Sequence, residues 1–167
     1  MTVIDSDLGE VTRTGDTVRI VFHRRYARPI EKIWAALTVP ERLGDWFAET
    51  TVDRMAVGGT MQLYFTGADY RSIARIEACD PPRTIAWTWS EVDGSKASFV
   101  RFDLEPDGDG CRLTLTHDIA ADEAKGVPAG WHAHLEALQD AADGVFTSWD
   151  TLMEREKRIN PRYASLA

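Results

Sequence analysis

The sequence predicts an α+β fold: a curved, seven-stranded antiparallel sheet wrapped around one long C-terminal helix, with two short helices between the first and second strands. Three observations carry this. The segment Pro81-Pro82-Arg83-Thr84-Ile85-Ala86-Trp87-Thr88-Trp89 reads as a tight turn feeding a strand with both tryptophans on one face. Gly130-Trp131, with Leu135 and Leu138 behind it, opens an amphipathic helix near the C-terminus. Between residue 49 and His117 the apolar period is 2, broken at hairpin spacing by Gly, Asp and Pro clusters, which is the pattern of an antiparallel meander.

Each element follows from its residues. Residues 1–16 are polar and read as a poorly fixed leader, with one domain over 17–167. From Thr17 to Tyr26, Val18, Ile20 and Phe22 share one face while Arg19, His23 and Arg25 share the other, so this is a half-buried strand. Arg28-Pro29 breaks it, and proline suits a first helical turn because its missing N–H is not needed there. Ile30, Ile33, Trp34 and Leu37 then form one helical stripe, and Glu41 to Phe47 reads as a second short helix after Pro40. Strands follow from residue 49 up to the Gly58-Gly59 turn, around Met61, Leu63 and Phe65, from Tyr70 to Cys79, and around Ile85, Trp87 and Trp89. Asp93-Gly94-Ser95 has hairpin-turn composition. The last two strands carry Val100, Phe102 and Leu104, then Cys111, Leu113, Leu115 and His117. Ala121 to Gly130 reads as a loop, Trp131 to Ala142 as the long helix, and the tail from Phe146 to Ile159 as helical, stopped by Asn160-Pro161.

Composition narrows the function classes. The 167 residues carry a formal net charge of −8 and show no Lys/Arg stripe with interleaved aromatics, which disfavours nucleic acid as a partner. No apolar run reaches the roughly 20 residues of a membrane span, and the acidic N-terminus lacks signal-peptide character, so no membrane insertion is expected. Two cysteines, Cys79 and Cys111, make no disulfide framework and no zinc spacing, and a cytoplasmic setting is the simpler expectation.

Taken in order, Ala27-Arg28-Pro29-Ile30-Glu31-Lys32-Ile33-Trp34-Ala35-Ala36-Leu37-Thr38, Pro40 to Phe47, the glycine turn before Met61, Pro81 to Trp89, Leu113-Thr114-Leu115-Thr116-His117, and Gly130-Trp131 with Leu135 and Leu138 resemble the SRPBCC superfamily (START-like, Bet v-like, helix-grip). Within it the chain looks most like the activator of heat-shock-protein ATPase homologue family, bacterial single-domain type. The resemblance implies a deep cavity between sheet and helix, which members of the superfamily use for lipids, polyketides, plant hormones and aromatic substrates. Eukaryotic co-chaperones of the same name carry an additional N-terminal domain, and the 16 residues ahead of the first strand here are too few to form it. Fold likeness alone does not assign a function.

The candidate ligand-binding residues are Phe65, Trp87, Trp89, His117, Trp131, His134, Leu135 and Leu138. The aromatics, with Trp46 and Phe47, either line an apolar pocket or pack as ordinary core; for Trp34 and Trp46 packing is favoured. His117 and His134 fall on apolar faces, where they serve as polar handles, as an acid–base pair, or as core histidines satisfied by a carbonyl or water. His23 and His132 read as solvent-facing. Arg75 and Glu77 form either an outer solvated row or buried polar groups. A metal site from His117, His134 and Glu77 has no ligand spacing behind it, no cofactor is implied, and no nucleophile with a base is recognisable. The expectation is therefore an elongated, mainly apolar pocket with His117 or His134 at its polar end, in a protein that binds a small hydrophobic or aromatic molecule. A polyketide cyclase or aromatase-like enzyme and a co-chaperone-like interaction module are the competing readings. An exposed Trp149 stripe on the tail would motivate a homodimer.

Overall fold

The computed structural model describes residues 7–91 and 96–166. Among these residues eight strands form one antiparallel sheet: β1 (Glu10–Thr14), β2 (Thr17–Tyr26), β3 (Glu49–Val52), β4 (Thr60–Phe65), β5 (Tyr70–Asp80), β6 (Thr84–Glu91), β7 (Ser98–Asp107) and β8 (Gly110–Ala120). Their spatial order is β1-β2-β8-β7-β6-β5-β4-β3. Four α-helices accompany them: α1 (Ile30–Thr38), α2 (Pro40–Trp46), α3 (Val127–Ala142) and α4 (Trp149–Ile159). This is the helix-grip arrangement, with α1 and α2 placed between β2 and β3.

The sheet has one strand more than the seven expected. The addition is β1, inside the stretch read as a leader. Its sequence, Glu-Val-Thr-Arg-Thr, has no apolar alternation, and only Val11 is half-buried, because β1 is an edge strand with no core face. A two-residue turn at Gly15-Asp16 folds it onto β2, with Thr14 opposite Thr17 and Gly15 at φ 61°, a left-handed conformation that glycine adopts readily. The turn expected at Asp93-Gly94-Ser95 lies outside the described residues.

Period-2 patterning places the core. Ile20 and Phe22 on β2, Ile85 and Trp87 on β6, Val100 and Phe102 on β7, and Leu113 and Leu115 on β8 all point to the concave face and are buried. Arg75 and Glu77 are exposed while Ala74 and Ile76 are buried, so the charged pair forms the outer row. A register shift between Ile76 and Ala78 leaves Glu77 as the extra residue of a bulge, a feature that bends a strand and strengthens its twist.

Helix α3 lies across the concave face. It starts at Val127, four residues before the expected Trp131, because Pro128 occupies the first turn, where its missing N–H costs nothing. Tyr26 donates its hydroxyl proton to the Leu135 carbonyl at 2.9 Å and so ties β2 to α3. Leu135 and Leu138 are buried at 1% and 0% exposure, pressed into this interface. Helix α4 begins at Trp149, capped by the Ser148 side chain, which accepts from the Thr151 N–H. It runs to Ile159 and continues as a 3₁₀ turn over Asn160–Leu166. Phe146, where the helical tail was expected to begin, is outside α4 and exposed. Among the described residues no helix is long and apolar enough to cross a membrane.

His132 differs most from expectation. Read as solvent-facing, it is 1% exposed. The 3₁₀ turn after α4 folds back over it: Tyr163 Oη lies 2.8 Å from His132 Nδ1 and accepts from the Gly9 N–H at 2.8 Å.

Candidate functional site

A pocket of about 560 Å³ opens where β4–β8, the first turns of α3 and the inner face of α4 meet. Its walls are mainly aromatic, which the chain achieves by converging four elements. Phe65 ends β4, Trp89 comes from β6, Trp131 from α3, and Phe47 from the residue that caps α2. Phe47 is the hub. It stacks on Trp131 at 5.5 Å and 10°, meets Phe65 edge-on at 5.2 Å, and touches Trp89 at 5.7 Å and His134 at 5.5 Å. Such offset and edge-on pairs add stabilisation beyond area burial.

Five of the eight candidate residues line this pocket: Phe65, Trp89, His117, Trp131 and His134. Trp87, Leu135 and Leu138 do not. Trp87 is 1% exposed, under Phe47 and Phe102, and its indole N–H finds no partner among the described residues. The two aromatic walls expected to face each other across a gap instead meet, Trp89 and Trp131 lying 6.2 Å apart edge to face, with Phe47 between the helix and the sheet. The open volume is therefore displaced to one end of the sheet–helix interface.

The polar groups have defined protonation. His117 Nδ1 accepts the Trp131 indole N–H at 2.9 Å, so the ring proton sits on Nε2, 2.9 Å from Ser98 Oγ. The ring stacks on Trp89 at 5.9 Å. Burial lowers its pKa to about 4, with Asp118 opposing weakly. Both ring nitrogens are engaged, so His117 is a neutral core histidine whose edge reaches the pocket. His134 differs. Its Nδ1 lies 2.7 Å from the Trp46 carbonyl and must donate to it, which leaves Nε2 as a bare lone pair. Burial also lowers its pKa. The Trp89 indole N–H is taken by Ser72 Oγ at 2.6 Å. No bond joins His117 to His134, and Glu77 is on the outer face, so neither an acid–base pair nor the three-residue metal set assembles. Among the described residues no cluster of His, Cys, Asp and Glu could hold a metal ion. The cysteines are free, and burial raises the Cys111 thiol to about 11.

The wall contributed by α4 lies outside the candidate set. Trp149, Met153 and Glu156 all line the pocket. Their spacing, i, i+4, i+7, puts them on one helical face, and that periodicity was available in the sequence. Trp149 is half-buried within its own chain, and a Cβ on Gly67 would run into its indole, so the turn after β4 closes directly over it. The exposed Trp149 stripe that would motivate a dimer is not present. Tyr70, Lys96, Ser98 and Glu123 complete the polar part of the wall.

Comparison with known proteins agrees with this fold. CalU16 from Micromonospora echinospora is 25% identical, with a TM-score of 0.73 over 95% of this chain and 94% of that one. A protein from Bordetella parapertussis is 29% identical, with a TM-score of 0.65 over 97% and 95%. A conserved protein of unknown function from Enterococcus faecalis shares the fold at 16% identity, with a TM-score of 0.74 over 95% and 92%. Among curated proteins none matches the sequence significantly. The profile described as activator of Hsp90 ATPase homolog 1-like protein matches residues 27–143, from the start of the α1 segment to the end of α3. The chain thus belongs to the activator of heat-shock-protein ATPase homologue family within the SRPBCC superfamily.

Proposed function

We propose that this protein binds a small hydrophobic or aromatic molecule in the pocket between β4–β8, α3 and α4. The carrying observation is an opening of about 560 Å³ at an aromatic cluster, within the size range of small-molecule sites. Native interiors close over apolar surface wherever they can, since lost contacts destabilise. Here Phe47, Trp89 and Trp131 are close-packed on one side, while the space in front of Trp149 and Phe65 stays open. Binding is favoured over catalysis because both nitrogens of His117 are occupied and the two histidines do not form a proton relay. The two free thiols fit a reducing cytoplasmic setting.

Native mass spectrometry of freshly purified protein tests this, together with tryptophan fluorescence titration against fatty acids and polycyclic aromatics. The expected result is a co-purifying apolar mass or saturable quenching, diminished by Trp89→Phe. No bound mass and no saturable quenching by either class would remove the binding reading.

A further inference from the structure

The pocket has a charge that its apolar walls do not explain. Glu156 lies on its rim, above the first turn of α3: its Oε2 would be 3.9 Å from a Cβ on Gly130. Among the described residues no cation pairs with it, and no hydrogen bond reaches its carboxylate. Its neighbour Arg155 is directed to Glu136 instead, at 3.8 Å. The nearby helix end offers at most partial charge. Burial alone acts on the carboxyl, raising its pKa. Glu123 adds a second carboxylate to the lining. Among the described residues the one Lys or Arg in the lining, Lys96, is ion-paired with Asp122 at 2.7 Å.

The second open polar atom is His134 Nε2, an acceptor. His134 is four residues beyond Gly130 on α3, so the helix positions beside the two open groups stand about one turn, roughly 6 Å, apart along the axis. A half-buried carboxylate without a partner among the described residues, in a pocket lined by aromatic rings, is a site for an ammonium group, which can gain both a charge-assisted hydrogen bond and attraction to the rings.

We propose that the pocket selects aromatic or alicyclic molecules carrying a protonated amine, with the ammonium on Glu156 and a neighbouring hydroxyl or N–H donated to His134 Nε2. This rests on the binding reading above and narrows it to a ligand class. Anionic lipids and carboxylates are disfavoured, because they would meet Glu156 and Glu123 with no unpaired Lys or Arg among the described lining residues.

Three probes of matched shape test it: naphthylmethylamine, naphthylmethanol and naphthoate, titrated by tryptophan fluorescence at pH 7.5 into the full chain and into Glu156→Gln. The wild type is expected to bind the amine about tenfold more tightly than the alcohol, with naphthoate weakest. In Glu156→Gln the amine should fall to the level of the alcohol, while an unchanged far-UV circular dichroism spectrum and urea midpoint show that the variant is folded. Equal binding of amine and alcohol by the wild type, or a preference that survives in Glu156→Gln, overturns the amine selectivity and leaves the binding reading standing. Failure of all three probes to bind overturns both.

Discussion

Helix α3 carries two histidines two residues apart, and they point from opposite faces of the helix. His134 faces the pocket, with one bond to the Trp46 carbonyl and one nitrogen open. His132 faces a clasp of chain termini: Tyr163 holds its Nδ1, Asp7 lies 3.4 Å and Glu136 3.9 Å from its Nε2, and Phe22 meets it edge-on at 5.9 Å. At the clasp the hydroxyl of Tyr163, the imidazole of His132 and the carboxylate of Asp7 all have partners. Gly9 donates to Tyr163, Arg162 pairs with Asp7, and a Cβ on Gly9 would press into the Phe22 ring. At the pocket the aromatic packing is as close, yet His134 Nε2 and Glu156 are left without partners among the described residues. Satisfied polar groups hold one side together, and unsatisfied ones leave open the side proposed above to take a ligand.

The largest test of this contrast is Trp131→Ala. It removes a ring 3% exposed that stacks on Phe47 and donates to His117. A loss of about 3–5 kcal/mol is expected, read from urea unfolding. A loss under about 1 kcal/mol would show that the aromatic cluster is loosely packed.

Acid should act next. His117 titrates near 4 in the folded chain against 6.5 as its ordinary value, so below pH 6.5 the unfolded state binds the extra proton. Its contribution is present above pH 6.5 and is lost as pH falls toward about 4, at up to about 1.4 kcal/mol per pH unit. Burial lowers His134 and His132 too and adds in the same sense. Urea midpoints between pH 7 and pH 4.5 should fall, and His117→Gln should flatten the slope. An unchanged slope would mean that His117 is not held neutral by its surroundings.

At the clasp, Tyr163→Phe deletes one hydroxyl and leaves the Gly9 N–H and His132 Nδ1 without their partner. About 1–3 kcal/mol is expected, with faster amide exchange around residues 8–12. Protection unaltered there would show that the termini are held by packing alone. Smallest of all is Glu156→Gln, which exchanges a carboxylate with no ion pair for a neutral isostere. Stability should change by no more than about 0.5 kcal/mol. A clear destabilisation would reveal a structural partner for Glu156 and weaken the difference between the two sides.

Much of the scaffold was legible because it depends on local rules. Alternation at Val18, Ile20 and Phe22, at Ile85, Trp87 and Trp89, and at Leu113, Leu115 and His117 fixes which face is buried whatever the strand order. Strand β1 escaped because an edge strand without a core face leaves no hydrophobic pattern. The first turn of α3 escaped because Gly126, Pro128 and Gly130 have loop composition although each is tolerated there.

The sequence by itself determined the helix-grip scaffold and the inward aromatics, since periodicity, turn chemistry and segment order need no long-range information, and the family followed from the resemblance of those segments to known proteins. The tertiary structure alone decided which aromatics border open space. Trp87 and Trp89 have identical local patterns, but Trp87 lies beneath Phe47 while Trp89 reaches the pocket. His132 and His134 fall on one helix, yet Tyr163, 31 residues later, covers one of them while α4 leaves an opening beside the other. Whether a buried-pattern residue meets another side chain or an open volume depends on where distant segments dock, and that is set by packing between elements, not by the period within one.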